Sequence, residues 1–594
     1  MTKFFKRLLP ILLVCILLLT FAGCEFLNSL PGAGGGTGQT PTDPVDPDGP
    51  ITPDDPEDPI DPDDPVDPDD PINPDDPVDP DDPIDPDDPV DPTPTDTFFF
   101  SDEKSAQNTA FYKDYSEEEK ALYYRLWSED TQISLEIDIE PSELLKIQEA
   151  YCDYVSTGNS AKADTYRRCN LTVIVDGVRY YYEEVGVRMR GNTSRRDFCD
   201  QDGNIYAYVH LRFDLGETFD GEEYEDGAWG ADIRHEWTDD EARSARKDRT
   251  FATLEKFYYK WNKNYDNTYM REVYANRMFQ AYGILAPHIT VTQISMKQGG
   301  EMRSLGVGNL YETIDKHFLK RHFSKEERSG DLYKCTYTNG RADLNGMHNY
   351  GVETPTQRFN YSLKTNDDRS DPDYNHNKYL RALMDALAAS PTSPTFKTNL
   401  EALVDMDYFA RFEAVNYLLG NPDCIRNNSN NYYLYFLPTT GQAIFIPYDY
   451  DRCLGINMDW NPSGNGMTTA APLSTRSPNG DVSCPLYTKT ILSPGDKSYQ
   501  TLYMNAISKI LEGEWFTYEH FRAIYLKYAA NYQAVATPDS AIVQAVRDHV
   551  RTDCLAFSEG GASDFGRTDQ NISTADYMSA KRLTAQSALE NFFK

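Results

Sequence analysis

The stretch that decides the fold is NPDCIRNNSNN, at residues 421–431, read together with the segments on either side of it. Residues 406–419, which precede it, place apolar side chains at helical spacing, and Gly420 follows them as a helix-ending residue. The apolar positions are Tyr408, Phe412, Val415 and Leu419. This pattern predicts a helix that buries one face and delivers Asp423 into a loop.

Two apolar runs follow the loop, at residues 432–437 and 443–447, with the turn sequence PTTGQ between them. This pattern predicts a β-hairpin. The hairpin carries the chain to Asp449 and Asp451, so that 26 residues separate Asp423 from Asp449.

Phosphoryl transfer uses these residue types in this order. A loop aspartate orients or accepts the proton of the attacking hydroxyl, an asparagine a few residues later holds one metal ion, and an aspartate beyond the hairpin holds another. The sequence therefore favours a metal and phosphate site made by Asp423, the asparagine cluster and Asp449. The alternative is a surface turn in which Asp423 and Asn431 act as caps and Asp449 pairs with Arg452.

The globular region, from about residue 98 to residue 594, has two parts. Strand-like segments dominate the first part, at residues 171–175, 180–184, 186–190, 206–215, 289–296 and 305–313. Helical periodicity marks residues 269–282 there and, further along, residues 378–389, 502–512 and 516–532. We therefore predict an α+β fold, with a β-rich N-lobe at residues 98–315 that contains one main helix and a mostly helical C-lobe at residues 316–594.

Several motifs resemble, in order, those of the CotH kinase family, the spore coat protein H type. They are GVRMRGNTSR at 186–195, YMREVY at 269–274, NLYETIDKHFL at 309–319, DLYK at 331–334, GNPD at 420–423, NYYLY at 431–435 and FIPYDYD at 445–451. The resemblance spans roughly residues 165–460.

The resemblance implies an atypical protein-kinase-like fold. It also implies the use of ATP and a divalent metal ion, Mg²⁺ or Mn²⁺, to phosphorylate Ser or Thr on secreted, cell-surface or spore-coat proteins. Asp423 would be the catalytic-loop acid, and Asp449 would bind metal. The loop asparagine would be Asn431, or Asn428 by the usual kinase interval, and Asp451 is a further metal candidate.

The cation that clamps the phosphates stays open. Where many family members have a lysine, this chain reads YVHLRF at residues 208–213. Glu272, on the predicted helix, would pair with such a cation, or it is an ordinary surface residue. Glu312 would lie near the adenine edge, or it is the solvated start of a helix. The candidate cations are Arg190, Arg212, Lys260 and Lys334.

The first 24 residues predict export. A basic start is followed by an apolar run at residues 8–21 and by FAGC at residues 21–24, which has the form of a lipoprotein cleavage site. The apolar run is shorter than the ~20 residues that span a bilayer, which disfavours an uncleaved anchor. Cys24 is thus the predicted lipidation site, and the mature protein is predicted to be anchored to the outer face of a bacterial cell membrane.

The composition of residues 25–97 predicts a disordered stalk. A Gly-rich run at residues 32–38 precedes a segment with proline at every third position from Pro41 to Pro92. Polyproline II has three residues per turn and a rise of ~3.1 Å per residue, so this segment could reach on the order of 160 Å.

Charge limits the partners. The chain of 594 residues carries a net charge of -38, and residues 43–96 contain 23 acidic residues and no Lys or Arg. This balance argues against nucleic acid, because binding to a phosphate backbone depends on cations. The expected partners are a protein with Ser or Thr acceptors and, through the lipid anchor, the membrane.

The cysteines leave the redox state open. An exported chain permits disulfides, and a bond between Cys424 and Cys453 would join the two acidic loops. Buried free thiols are the preferred alternative.

Two other classes of function remain. A pseudokinase-type surface adhesion or scaffold module would keep the fold without nucleotide turnover, but the presence of both Asp423 and Asp449 counts against it. A carbohydrate-active enzyme would use paired carboxylates and aromatic side chains, but it leaves the asparagine cluster unexplained.

Overall fold

The computed structural model describes residues 115–594, except for residues 192–193, 339, 347–348, 367–375, 457–465, 479, 496, 553–554, 556 and 560–571. The predicted signal sequence with Cys24, and the predicted stalk, lie outside the described residues. Within the described residues, no helix combines the length and apolar character needed to cross a membrane.

The described strands are β1 (Ile133–Asp138), β2 (Arg167–Val175), β3 (Val178–Arg190), β4 (His210–Asp214), β5 (Lys256–Trp261), β6 (Ile289–Gln298), β7 (Glu301–Glu312), β8 (Leu332–Cys335), β9 (Tyr350–Gly351), β10 (Tyr361–Leu363), β11 (Tyr432–Phe436), β12 (Ala443–Pro447), β13 (Arg476–Ser477) and β14 (Gly480–Asp481). The described α-helices are α1 (Glu117–Leu126), α2 (Pro141–Thr157), α3 (Ala161–Asp164), α4 (Asp240–Lys247), α5 (Arg271–Ala281), α6 (Lys316–His322), α7 (Lys378–Ala388), α8 (Phe396–Glu401), α9 (Met406–Leu419), α10 (Ile425–Asn428), α11 (Gly466–Thr469), α12 (Lys497–Glu512), α13 (Tyr518–Tyr532), α14 (Ser540–Val546) and α15 (Thr574–Phe593).

The first seven strands close into a barrel in the order β1-β2-β3-β4-β5-β7-β6. The closing pair, β1 with β6, is parallel, and the other neighbours are antiparallel. Side chains alternate between the two faces of a strand, and in β1 the buried positions are Ile133, Leu135 and Ile137. They belong to one apolar core with residues such as Leu171 and Val173 of β2.

The predicted α+β class is confirmed, and the first part is rich in strands as expected. The prediction of one main helix in that part was wrong, because α1 and α2 accompany α5 there. The two strands predicted at 180–184 and 186–190 form the single strand β3, which continues through Glu184 although this residue has a φ of 51°.

The second part contains the predicted helices α7, α9, α12 and α13. It also contains a five-stranded sheet in the order β12-β11-β8-β10-β9, of which the sequence predicted only the β11–β12 hairpin. The lobe boundary after residue 315 stays a prediction.

Helix α9 belongs to a second apolar core, which is separate from that of β1 and β2. Asp405 caps its first turn, because its side chain accepts hydrogen bonds from the backbone N–H groups of Asp407 and Tyr408. Phe409 and Phe412 are fully buried, and each such side chain contributes about 1.5–3 kcal/mol through burial. The helix ends at Gly420, in the left-handed conformation with a φ of 66°.

Gly420 also lies against α15. A Cβ atom on this residue would lie 1.8 Å from the hydroxyl oxygen of Tyr577, a buried side chain that donates a hydrogen bond to the carbonyl of Leu418. The position therefore requires glycine for two reasons, its backbone conformation and the close approach of Tyr577.

A non-glycine residue in the left-handed conformation costs about 1–2 kcal/mol. We predict that Gly420→Ala lowers the free energy of unfolding by more than this backbone cost, and that its melting temperature falls accordingly. Gly158→Ala is the matched control, because Gly158 ends α2 with a φ of 71° and has open space around its Cβ position. Tyr577→Phe should recover part of the loss at Gly420. Equal losses of stability in the two alanine variants would contradict the packing argument.

Candidate functional site

Lys260 brings three carboxylates together. Its ammonium group lies 3.1 Å from Glu272 and 2.9 Å from Asp451, and it also bonds to Asp449. Burial disfavours the charged lysine, but the three acids outweigh burial and raise the pKa of Lys260 well above its usual value. The lysine is therefore firmly protonated.

Glu272 comes from the first turn of α5 and is almost fully buried. The hydroxyl of Tyr311 donates a second hydrogen bond to it, and the Tyr311 ring stacks on Tyr258 with 4.5 Å between the centroids. Burial, followed by repulsion from Asp451 and Asp449, raises the pKa of Glu272 in spite of Lys260. The barrel strands thus fix the orientation of this carboxylate.

Asp449 and Asp451 follow β12. Asp449 has a φ of 59°, a left-handed conformation that turns the chain immediately after the strand. Burial opposes ionisation of Asp449, but Lys260 prevails and lowers its pKa to about 2. Burial raises the pKa of Asp451, and the nearby Asp449 adds to that effect.

Three asparagine side chains surround Asp423. The amide groups of Asn428 and Asn430 donate to Oδ1 at 2.7 Å and 3.0 Å, and that of Asn431 donates to Oδ2 at 3.0 Å. Burial raises the pKa of Asp423 to about 6, while Arg452 and the amides act in the opposite direction. The carboxylate is partly exposed and held in one orientation.

Asn421 joins the two acidic loops. Its side-chain oxygen accepts the backbone N–H of Asp423 at 3.0 Å, and its Nδ2 donates to the backbone carbonyl of Asp449 at 3.2 Å. The predicted Asp423 and Asp449 are therefore linked through one buried side chain. The sequence analysis assigned Asn421 no role of its own, although it stands in the Asn-Pro-Asp motif.

Two of the remaining candidate cations, Arg190 on β3 and Lys334 on β8, contact the same tyrosine. Arg190 covers the ring of Tyr258 at 3.6 Å and donates to the hydroxyl of Tyr448 at 2.9 Å. Lys334, on β8, lies 5.0 Å from the centroid of the Tyr448 ring. Both cations therefore contact Tyr448, the residue that directly precedes Asp449. Sequence reasoning gave Tyr448 no role.

Arg212 is buried in register between Arg188 on β3 and Tyr258 on β5. His210, two residues earlier, accepts the backbone N–H of Trp261 on its Nδ1. Burial and then Lys260 lower the pKa of His210 well below its usual value, so it adds no charge. Among the four candidate cations, Lys260 is the one whose ion pairs with Glu272, Asp449 and Asp451 are described above.

Glu312 lies apart from this group. It accepts hydrogen bonds from Arg321 at 3.0 Å and Tyr123 at 3.1 Å. It follows Tyr311 along β7 and therefore points to the opposite face of the strand. His288 and His322 lie close enough to form a metal-binding group with it, but Arg321 already neutralises its charge, so we interpret this cluster as structural.

Glu272, Asp449 and Asp451 form a group whose oxygens lie within 4.8 Å of one another. Carboxylate oxygens are the donors that Mg²⁺ and Mn²⁺ prefer. When all three acids are ionised, the single lysine leaves an excess of negative charge, which suits a divalent ion. Asn428 and Asn431, the other predicted metal ligands, each donate a side-chain N–H to Asp423.

Cys424 and Cys453, which border the two acidic loops, are buried free thiols. The thiol of Cys453 donates to the carbonyl of Arg271 at 3.6 Å. The disulfide considered from the sequence is therefore absent between these two described residues, in agreement with the preferred alternative.

The model of one protein family, described as CotH kinase protein, matches residues 233–549. The match covers more than half of the chain. The chain belongs to the CotH kinase family. The matched segment begins and ends later than the resemblance noted at 165–460, and it includes Lys260, Glu272, Asp423 and Asp449. A comparison with curated proteins finds no match.

We predict that Lys260→Met lowers stability by about 3–5 kcal/mol in the absence of metal, because three neighbouring carboxylates lose their cation. Added Mg²⁺ or Mn²⁺ should then raise the melting temperature of this variant by more than that of the unaltered protein. Lys334→Met is the control, because Lys334 is equally buried but faces the Tyr448 ring. If metal raises the melting temperatures of Lys260→Met and the unaltered protein equally, the three acids are not a cation site.

Proposed function

We propose that this chain is a protein kinase that transfers the terminal phosphoryl group of ATP to Ser or Thr hydroxyls, with a divalent metal ion as cofactor. One observation carries the proposal: a strand lysine, Lys260, bonds both to a helix glutamate, Glu272, and to an aspartate after a hairpin, Asp449. Kinases use a lysine, a helix glutamate and a metal-binding aspartate in this arrangement to hold the nucleotide phosphates. The atypical kinase-like arrangement of an N-lobe and a C-lobe is part of this proposal.

The carboxylates of Asp449, Asp451 and Glu272 suit the metal ion. Asp449 and Asp451 are the more exposed of the three and would hold it, while Glu272 would remain the partner of Lys260. A bound Mg²⁺ or Mn²⁺ would neutralise negative charge on the phosphates. Asn428 or Asn431 would complete the ligand set from the Asp423 loop.

Lys260 would bind the phosphates of the nucleotide. Arg190 and Lys334 add positive charge on either side of Tyr448, next to Asp449. Arg212, which is paired with Tyr258 in the barrel, would contribute to the positive potential. Phosphate groups would thus meet cations from the barrel and from the five-stranded sheet, which favours a nucleotide over a neutral sugar.

Asp423 would act on the acceptor. Its carboxylate takes the proton of the Ser or Thr hydroxyl as the hydroxyl oxygen bonds to the γ-phosphorus, and the bond from that phosphorus to the bridging oxygen breaks to release ADP. The three asparagine amides hold the carboxylate in place, so that it loses no orientational freedom during the reaction. This role favours an active kinase over a pseudokinase.

We predict that Asp423→Ala lowers phosphoryl transfer to a Ser or Thr peptide by ~10²–10⁴, the usual contribution of a general base. Affinity for ATP with Mg²⁺ should stay within about twofold, because Asp423 contacts neither Lys260 nor the phosphates in this proposal. The measurements are a radiolabelled transfer assay and calorimetric titration of the nucleotide. Asp407→Ala, which removes an exposed acid on α9, is the control and should leave both unchanged.

Full transfer activity in Asp423→Ala would remove Asp423 from catalysis. Absence of nucleotide binding in the unaltered protein would instead contradict the kinase assignment itself. The two measurements therefore separate an error in one residue from an error in the function.

We propose further that the kinase acts outside the cytoplasm. The basic start, the short apolar run and the FAGC sequence of residues 1–24 support export and lipid attachment at Cys24, and the proline-rich stalk would raise the kinase above the membrane. A surface or secreted protein would then be the substrate.

We expect Cys24→Ser to move the protein from the membrane fraction to the soluble fraction, because one residue carries the whole lipid attachment. Fractionation followed by immunoblotting measures the change. Cys152→Ser, which alters an exposed cysteine of the folded part, is the control. A Cys24→Ser protein that stays with the membrane would indicate an uncleaved apolar anchor.

A further inference from the structure

A buried carboxylate on α9 lies inside the second apolar core. Glu413 is fully buried, and most of its neighbours along the helix are apolar. Burying a charged group is costly unless the group is paired and hydrogen-bonded, and well-packed apolar side chains in its place often give equal stability. An acid at this position therefore points to a role other than stability.

One oxygen of Glu413 holds the loop of Asp423 through an arginine. Arg426, on α10, follows Asp423 by three residues, and its Nη1 donates to Oε1 of Glu413 at 2.7 Å. The same guanidinium group donates to the backbone carbonyls of Pro472 and Ser474 at 2.8 Å and 2.9 Å. The short helix after the proposed base is thus fixed to α9 by a buried, charge-assisted bond.

The other oxygen of Glu413 reaches the metal-binding acids through an asparagine. Asn416 lies on the same face of α9, and its Nδ2 donates to Oε2 of Glu413 at 2.7 Å. The Oδ1 atom of Asn416 accepts a hydrogen bond from the hydroxyl of Tyr450 at 2.9 Å. Tyr450 is buried and stands between Asp449 and Asp451 in the chain, so this bond holds the segment that carries both acids.

This network adds a second connection between the two acidic loops. Asn421 joins them at one point, and a single point of attachment leaves rotation about it free. We propose that Glu413 is a positioning residue that fixes the placement of Asp423 relative to Asp449 and Asp451. It acts through Arg426 and Asn416, and the inference rests on the proposed kinase function.

Two tyrosines allow a matched test, because each places one buried hydroxyl in this network. Tyr450→Phe removes the bond to Asn416 and with it the link to the metal-binding acids. Tyr487→Phe removes a hydroxyl that donates to Oε2 of Glu413 at 2.9 Å, but the short helix of Tyr487–Ile491 carries neither acidic loop. Both rings lie in the same apolar core, so the two variants lose comparable contacts.

The first readout is metal affinity, measured by titrating Mn²⁺ into the full chain and following free Mn²⁺ by electron paramagnetic resonance. We expect Tyr450→Phe to weaken Mn²⁺ binding by about threefold to tenfold, the size of one lost buried hydrogen bond. Tyr487→Phe should lower the melting temperature by a similar amount and leave Mn²⁺ affinity unchanged. A merely structural role would not separate the two variants in this way.

The second readout is transfer from ATP to a Ser peptide. Misplacement of a reacting group by about 1 Å costs ~10² in rate, so kcat should fall by tenfold or more in Tyr450→Phe, a factor set by that displacement. The KM for the peptide should stay within about twofold, because Tyr450 is not proposed to bind the acceptor. Tyr487→Phe should keep the kcat of the unaltered protein.

Glu413→Gln removes the charge that serves both connections and should lower kcat further than Tyr450→Phe does. Circular dichroism verifies that each variant folds, and if Glu413→Gln does not fold, the two tyrosine variants decide alone. Full kcat in folded Glu413→Gln, or equal effects of the two tyrosine variants on Mn²⁺ affinity and kcat, would overturn the positioning role.

Failure of the proposed function looks different. An unaltered protein that transfers no phosphoryl group would contradict the kinase function, and this inference would fall with it. An active unaltered protein in which the two tyrosine variants behave alike would overturn the role of Glu413 alone.

Discussion

The ammonium group of Lys260 is the interaction on which the site depends. It pairs with Glu272, Asp449 and Asp451, three carboxylates that approach from a helix and from the end of a hairpin. Without a cation these acids, of which Glu272 is buried and the two aspartates are partly exposed, would repel one another, and leaving a buried charge unpaired costs ~3–5 kcal/mol. The same excess of negative charge makes the cluster suitable for a divalent ion, so the stability of this region and its proposed chemistry share one origin.

The surrounding elements keep this cluster in register. Tyr311 holds Glu272 from the barrel, and Asn421 ties the backbone of Asp449 to the loop of Asp423. Asn264 adds a bond from the segment after β5 to the carbonyl of Asp451. Side chains from distant parts of the chain therefore meet at the acidic cluster and hold it in place.

The parts of the fold that depend on local pattern could be predicted from the sequence. Helix α9 and the β11–β12 hairpin follow from helical spacing, a glycine at the end and a short turn, and their bounds agree within a residue. The closed barrel could not be predicted, because its parallel β1–β6 pair joins residues that are more than 150 positions apart. No local signal encodes such a pairing.

The site residues also divide into those that a local motif reveals and those that depend on long-range strand pairing. Asp423, Asp449 and the asparagines stand in recognisable motifs, whereas the choice of Lys260 among four cations depends on strand register. Glu312 illustrates the limit, because a single step along β7 separates the face that reaches Glu272 from the face that meets Arg321. Sequence reasoning could name both glutamates, and only the pairing of strands assigns them to different surroundings.

The most direct test of the central claim is a double-mutant cycle on affinity for ATP with Mg²⁺, using Lys260→Met, Glu272→Gln and the double variant. If Glu272 acts by orienting Lys260 toward the phosphates, Glu272→Gln should weaken ATP binding when Lys260 is present. It should have no further effect in the Lys260→Met variant. Losses that simply add would contradict the claim that these residues form one phosphate-binding unit.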